Sequence, residues 1–487
     1  MIDKFSSIRT GSLSLIFAIL LFTACQTKTP DGSGKGKPNI LFLLADDLGY
    51  GELGSYGQEV IETPVLDRLA TQGMRFTDFY AGNAVCSPSR AVLMTGKSST
   101  RNTIRGNTGS FNDDRWLRVA LTKDEITLGE MLQTAGYQTG FVGKWHLDDP
   151  NDLSTWAYKR GFDFAVQEQW SSRFGGLNFP VNKEGKMWYM NGLADSLFYE
   201  NGKWSCMDEY RTKIAIDYLD TIRTNQPFFL FMSYRAPHAH ERKIYDEELY
   251  ADQGWPEKER IHAAKITLLD REIGKLLKKL EDMGKLDNTL IIFSSDNGPH
   301  GERTHNHEFF NSNGDLKGFK RDLYEGGIRV PLIVYWKGKI EAGVVSNRIA
   351  GFQDIMPTLA EVAGMPTPDQ SDGISILPLL TGKPQNTHGS LSWEFQLDGW
   401  WQKLPEGGFR QSARIGNWKG VRYGVSSEIE LYDLGNDISE EENIANKHPE
   451  IVEKMNQLFT KESHTPTDGF PYGGVVQDYL ARDKHQK

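Results

Sequence analysis

Asp46 and Asp47 stand side by side in "LLADDLG", and Asp296 and Asn297 in "SSDNGP". All four offer hard oxygen donors. Two adjacent carboxylates repel unless a cation lies between them. An all-oxygen set suits calcium, with magnesium as the alternative, rather than zinc. Basic groups occur in similar short polar stretches: Lys144 and His146 in "GKWHL", His238 and His240 in "APHAH", Lys320 in "KRDLYEGG". Cations around a carboxylate-held metal point to an anionic substrate. The group whose chemistry needs explaining is Cys86, in "AVCSPSRAVLMTG". Pro88 suits a first helical turn, Ala91 to Met94 continue it, and Gly96 ends it. The thiol therefore lies at or just before a helix N-terminus, and Arg90 follows one turn later. That N-terminus, Arg90, Lys144 and Lys320 would together hold a tetrahedral oxyanion. Taken singly, each stretch reads equally well as a solvated turn or a surface charge. Their recurrence is what points to a site.

The elements that must position these groups are legible around them. The apolar runs "NILFLLA", "QTGFVG", "PFFLFMSY", "TLIIFSS" and "VPLIVYW" are short and do not alternate with polar residues, as in strands covered on both faces. The first four end in the polar stretches just described, and open parallel sheets bind ligands outside the carboxyl ends of their strands. Helices lie between the runs. "TPVLDRLATQG" has Thr63 as N-cap and Gly73 as stop. "TLGEMLQTAG" pairs Thr127 with Glu130 in a capping box, and "HAAKITLLDREIGKLLKKLEDMG" is amphipathic over six turns. Alternating strands and helices predict an α/β fold, a large mixed and mostly parallel sheet with helices on both faces. After about residue 385 the texture changes. "SARIGNW", "KGVRYG" and "EIELYDL", followed by "HPEIVEKMNQLFTKE", predict a smaller α+β C-terminal domain over 386–487, leaving 38–385 as the catalytic domain.

The chain has 487 residues, 38% of them hydrophobic, and a formal net charge of −10, which argues against nucleic-acid binding. Lys4 and Arg9 precede the apolar run "LSLIFAILLFTA" and then Cys25, the layout of an export signal over residues 1–24. "LFTAC" resembles a bacterial lipoprotein signal. It implies that Cys25 is lipidated, that residues 25–37 form a tether, and that the protein is periplasmic or at the cell surface, touching the membrane only through its lipid. Of the three cysteines, Cys206 reads as a small buried residue, and a structural disulfide could only be Cys86–Cys206.

At this point the motifs resemble a known family. "CSPSR" at 86–90 resembles the signature of the type I sulfatases, in the alkaline phosphatase-like superfamily. "ADDLGYGELGSYG", "GKWHL", "PHAH", "SDNGPH" and "KRDLYEGGIRVP" resemble further blocks in the same order, and "LYDLGNDISEEENIA" the C-terminal segment. The resemblance implies that a maturation enzyme converts Cys86 to formylglycine (3-oxoalanine). It makes Asp46, Asp47, Asp296 and Asn297 ligands of a Ca2+ or Mg2+ ion, with the modified Cys86 as a further ligand. Arg90 would orient the formylglycine, and Lys144 and Lys320 would bind sulfate. His146 would assist loss of the hemiacetal proton, and His238 would protonate or hold the leaving oxygen. Either Lys317 or Lys320 fits the sulfate role, and the distance to "YEGG" favours Lys320. His240 stands where many relatives have proline.

The implied reaction is hydrolysis of sulfate esters, with exo-action on a sulfated galactose or N-acetylgalactosamine-type sugar. His300 follows the metal motif and is a candidate substrate contact. Trp170, Trp400 and Trp401 are candidate sugar-stacking residues, although each reads equally as core. Two other readings stand beside this one: a phosphoester or phosphonate monoester hydrolase on the same fold, and a non-catalytic glycan-binding lipoprotein.

Overall fold

The structure is a computed structural model. It describes residues 36–462 apart from 108–109, 113–114, 118, 150–151, 170–186, 192, 198–202, 224, 240–247, 302–304, 397–408 and 425–426. The chain divides into two units, Met1–Gly36 and Lys37–Lys487. Cys25, Trp170, His240, Trp400 and Trp401 lie outside the described residues.

Among the described residues, ten strands form the main sheet. From edge to edge they are Val344–Ser346, Met74–Phe76, Leu332–Tyr335, Thr289–Ser295, Asn39–Asp46, Phe228–Pro237, Gln138–Gly143, Phe164–Gln169, Met187–Met190 and Leu193–Leu197. The five from Thr289–Ser295 to Phe164–Gln169 are mutually parallel. Leu332–Tyr335, from the run "VPLIVYW", pairs antiparallel with Thr289–Ser295. The sheet is thus mixed, with a parallel centre. Its outer strands are short and carry little periodicity.

Alternate residues of the first strand enter two different cores. Ile40, Phe42 and Leu44 pack with Ala91, Leu93, Phe352 and Leu359 on one face. Leu41, Leu43 and Ala45 pack with Ile214, Leu269, Ile273 and Leu276 on the other. A strand buried on both faces has little room for polar side chains, which is why Ile40 to Ala45 are all apolar. The flanking helices end as their sequences specify. Thr127 and Glu130 close a capping box on Leu128–Thr134. Gly96, at φ 68°, ends Cys86–Thr95, its N–H donating to the Val92 carbonyl. The long helix runs Glu257–Asp282, five residues further N-terminal than the periodicity suggested. Its first turn is acidic, which a helix N-terminus favours. Gly73 is not a left-handed stop, at φ −130°.

A second, four-stranded antiparallel sheet, Leu391–Gln396, Phe409–Ile415, Trp418–Tyr423 and Glu430–Asp433, lies in the C-terminal region. The helix Pro449–Glu462 covers it, seating Met455 and Phe459 against Ala413 and Leu431. Leu391, Trp393 and Phe395 pack on Tyr80, Ala84, Val85, Leu323 and Ile328, and the Trp393 indole donates to the Ala81 carbonyl at 3.0 Å. This sheet therefore braces the segment that leads into Cys86. Among the described residues no helix is long and apolar enough to cross a membrane.

Candidate active site

Sheet register brings the polar strand ends to one edge. Ala45 pairs with Ser295, Asp46 with Pro237, and Gly143 with Ser233. The strands leading to Asp296, Asp47, His238 and Lys144 are thus four neighbours, spaced about 4.8 Å apart.

Successive side chains of a strand point to opposite faces, so Asp46 and Asp47 could not share a site in extended backbone. The chain turns at Asp47, whose φ is 68°. A left-handed non-glycine residue costs on the order of 1 kcal/mol or more, and it is fixed here by neighbours. The Asp47 N–H donates to Asp296 Oδ1 at 3.1 Å, and Asn297 Nδ2 donates to Asp47 Oδ1 at 2.8 Å. Gly143 shapes the neighbouring turn. At φ 119°, a Cβ there would lie 2.0 Å from the Ser233 carbonyl oxygen. A side chain would push apart the strands that aim Lys144.

Cations then crowd the carboxylates. Lys144 Nζ donates to both Asp46 oxygens at 2.8 Å. Lys320 Nζ donates to Asp47 Oδ2 at 2.7 Å and lies 3.4 Å from His238 Nε2. Arg90 pairs with Asp296 Oδ2 through Nε and Nη2, each at 2.8 Å, and its Nη1 donates to the Lys144 carbonyl and Ser233 Oγ. Cys86 opens the helix Cys86–Thr95, its Sγ 3.5 Å from Asp46 Oδ1 and 3.9 Å from Asp47 Oδ1. His146, in left-handed backbone at φ 61°, adjoins through its carbonyl, which accepts from Ser87 Oγ. His300 is fully buried beside the Pro237 carbonyl, its ring edge-on to His262 and His305.

The structure separates the two candidate lysines and adds one residue to the site. Lys317 points away from the site, to Tyr432 Oη and the Glu440 carbonyl, so the structure places Lys320 at the carboxylates. Arg235, fully buried, sits 3.6 Å from Asp46 Oδ2. The signal for Arg235 was present in "FMSYRAPH", a charge at the end of an apolar strand. Cys86 and Cys206 are both free thiols and buried.

Electrostatics set Asp46 apart from Asp296. Burial alone would raise Asp46, but Lys144, Arg90 and Arg235 outweigh it and hold its carboxyl well below the usual range. Burial and then the charge of Asp46 push Asp296 up to about 6. Burial pushes the Cys86 thiol up to about 12. An unmodified thiol here stays protonated at neutral pH and is a poor nucleophile.

The donor set also bears on a metal. Asp46, Asp47, Cys86 and His238 each bring a donor atom within 4.8 Å of the others. Asn297 Oδ1 is buried and accepts no hydrogen bond. A buried carbonyl oxygen without a donor, beside three carboxylates, fits an oxygen-liganded dication.

Residues 38–365 match the sulfatase family, and residues 315–465 match the C-terminal family of N-sulphoglucosamine sulphohydrolase. The chain is 31% identical to human arylsulfatase A over 86% of its length, covering 87% of that protein. It is 35% identical to N-acetylgalactosamine-6-sulfatase of Canis lupus familiaris over 71% of its length, and spans about two thirds (66%) of that protein. Among solved structures, Ps i-CgsB in complex with k-i-k-neocarrahexaose superposes with a TM-score of 0.74 at 26% identity, over 89% of this chain and 94% of that one.

Proposed function

From the premise that this chain belongs to the sulfatase family, we propose that it hydrolyses sulfate esters of carbohydrates by way of a formylglycine made from Cys86. One observation carries the reading. Arg90, Lys144, Arg235 and Lys320, four cations, face Asp46, Asp47 and Asp296, three carboxylates, around the residue that opens a helix. Cations gathered around buried carboxylates at the head of a helix suit an anionic ligand.

Asp46, Asp47, Asp296 and Asn297 would hold a calcium-class dication, with residue 86 beside it. Bound there, the ion would supply positive charge against developing oxyanions. The chain's own groups do the rest. Hydrated formylglycine carries two hydroxyls on one carbon. One gives its proton to solvent and its oxygen attacks sulfur, with Arg90 fixing the orientation. Lys144 and Lys320 hold the sulfate oxygens. The S–O bond to the sugar breaks, and His238 gives the leaving alcohol its proton. His146 accepts the proton of the second hydroxyl. The C=O double bond re-forms, the C–O bond to sulfur breaks, and sulfate departs. Water then restores the hydrate.

The relatives named N-acetylgalactosamine-6-sulfatase and the structure in complex with k-i-k-neocarrahexaose support a sulfated carbohydrate; a galactose-type sugar and exo-action are part of the proposal. His300 belongs to this proposal as a substrate-side residue. The signal and Cys25 support export as a lipid-anchored protein, with a maturation enzyme as partner.

Peptide mass spectrometry over residues 75–101 from the native host, paired with assays on 4-nitrophenyl sulfate, sulfated galactose-type sugars and phosphate esters, tests the reading. An aldehyde at position 86 and a preference for sulfate are the expected results. Fully active protein that retains the thiol, or a preference for phosphorus, would overturn it.

A further inference from the structure

The strand that leads to His238 is interrupted just before it ends. Up to Ser233 it keeps register with Asn39–Asp46, Leu44 lying opposite Ser233. The next pair is Asp46 with Pro237, so Tyr234, Arg235 and Ala236 stand against Ala45 alone. Such a bulge re-aims side chains and takes backbone groups out of the ladder. The whole stretch is buried, and buried backbone donors and acceptors need partners.

Two buried charged side chains supply them. Asp208, in the first turn of the helix Met207–Thr221, accepts the Arg235 N–H on Oδ1 at 3.1 Å and the Ala236 N–H on Oδ2 at 3.0 Å. Arg211 holds Asp208 in turn, donating to its Oδ1 and, from Nε, to Glu168 Oε1 at 2.6 Å. From a second helix, Glu257–Asp282, Lys265 Nζ donates to the His238 carbonyl at 3.2 Å and the Pro237 carbonyl at 3.4 Å. The His238 N–H closes the turn on the Arg235 carbonyl at 2.8 Å.

The clamped segment carries two groups of the candidate active site. Arg235 lies 3.6 Å from Asp46 Oδ2, and His238 Nε2 lies 3.6 Å from Asp47 Oδ2 and 3.4 Å from Lys320 Nζ. Burying a carboxylate and an ammonium is costly, and the charge-assisted bonds they make are stronger than neutral ones. Asp208 grips the N–H groups of the segment and Lys265 its carbonyls, so the backbone before the imidazole is fixed from both chemical sides.

We propose that Asp208 and Lys265 are positioning residues for His238, acting through the backbone of 235–238 to keep the imidazole in reach of the leaving oxygen. The inference rests on the reading of His238 as proton donor to that oxygen. A basic leaving group needs the proton, whereas 4-nitrophenolate departs without it. Misplacing His238 is therefore felt more as the leaving group becomes more basic. A general disturbance of the fold lowers all substrates alike.

The test uses the full chain from the native host and a series of aryl sulfates from 4-nitrophenyl to 4-methoxyphenyl sulfate. Lys265→Met should lower kcat/KM by about 100-fold on the most basic leaving group, the scale of a 1 Å misplacement, and far less on 4-nitrophenyl sulfate. Asp208→Asn should show the same trend, and it carries the comparison should Lys265→Met not fold. Lys265→Arg, which can donate to both carbonyls, should recover most of the loss. His238→Ala is the reference and should steepen the dependence at least as much. Equal losses across the series in Lys265→Met and Asp208→Asn, beside a steepened His238→Ala, overturn the inference and leave the reading of His238 standing. A flat His238→Ala profile removes that reading and the inference with it. A crystal structure of Lys265→Met needs no turnover. It should show the His238 imidazole displaced with Lys144 and Lys320 in place, and an unmoved imidazole would also overturn the proposal.

Discussion

Two buried charge clusters in this chain are built to different ends. At the seam between the main sheet and the C-terminal sheet, Lys419 pairs with Glu325 at 2.7 Å. Arg414 pairs with Asp78 at 2.7 Å, and Arg329 bridges Asp78 and Glu325. Glu440 adds a third acid, accepting the Glu325 N–H at 2.7 Å. Each of these three bases meets a carboxylate of the fold within 3.1 Å. At the candidate active site Arg90, Lys144, Arg235 and Lys320 crowd Asp46, Asp47 and Asp296, and an amide oxygen is left without a donor. A cluster whose bases are all met by the fold's own acids joins two parts of a fold. One that leaves a buried amide oxygen unmet is completed by what binds, and the proposed catalytic residues belong to the second kind.

The comparison is broken most severely at residue 86. Cys86→Ala is expected to lower kcat by about 10^5-fold or more, as for removal of a catalytic nucleophile. Thermal unfolding should move little, because the helix and its packing remain. Comparable activity in the variant would remove the nucleophile assignment. Stripping divalent ions with a chelator should cost about a thousandfold in activity, the scale of a lost electrostatic stabiliser. Added Ca2+ should restore it. The melting temperature should fall as well, since an ion at a hundred times its Kd stabilises the fold by about 2.7 kcal/mol.

The seam should respond in the opposite sense. Lys419→Met leaves Glu325 buried with part of its charge unmet, at a cost of about 3–5 kcal/mol. Chemical denaturation would show the loss, while kcat of the folded fraction should stay within about tenfold of the parent, since Lys419 touches no reacting group. The smallest effect is on pH dependence. Burial, with repulsion from Glu325 offset in part by Lys419, pushes Glu440 up to about 8 from the usual 4.5. The folded chain then binds more protons than the unfolded one between those values, so stability falls as pH rises from about 4.5 to 8. Glu440→Gln should flatten that part of the profile in calorimetry across pH. An unchanged slope would show that Glu440 does not titrate in this range.

Much of the site was legible because each component is local. An apolar strand and the polar residues that end it are neighbours in sequence, so Asp46, Lys144, His238 and Asp296 could be found without coordinates. Arg90 follows Cys86 by one helical turn, and spacing alone sets them side by side. Arg235 carries the same strand-end signal, but it lies within its strand, Phe228–Pro237, and belongs to no motif, and so it was passed over. The short outer strands went unseen because they carry little periodicity. The seam was hidden because its partners, Asp78 and Arg414 or Glu325 and Lys419, are far apart along the chain.

By itself, then, the sequence determined which of the longer segments become strands and helices, where Thr127 and Gly96 begin and end two of them, and which chemical groups stand at the ends of the central strands. These follow from spacing within one turn or one strand, where chain geometry leaves few choices. Tertiary structure decided that the left-handed turn at Asp47 puts two adjacent carboxylates on one site. It sent Lys320 to those carboxylates and Lys317 to the seam, and it brought Asp208 and Lys265 to the backbone before His238. These outcomes depend on strand order and register, which are settled by burying both faces of the sheet at once.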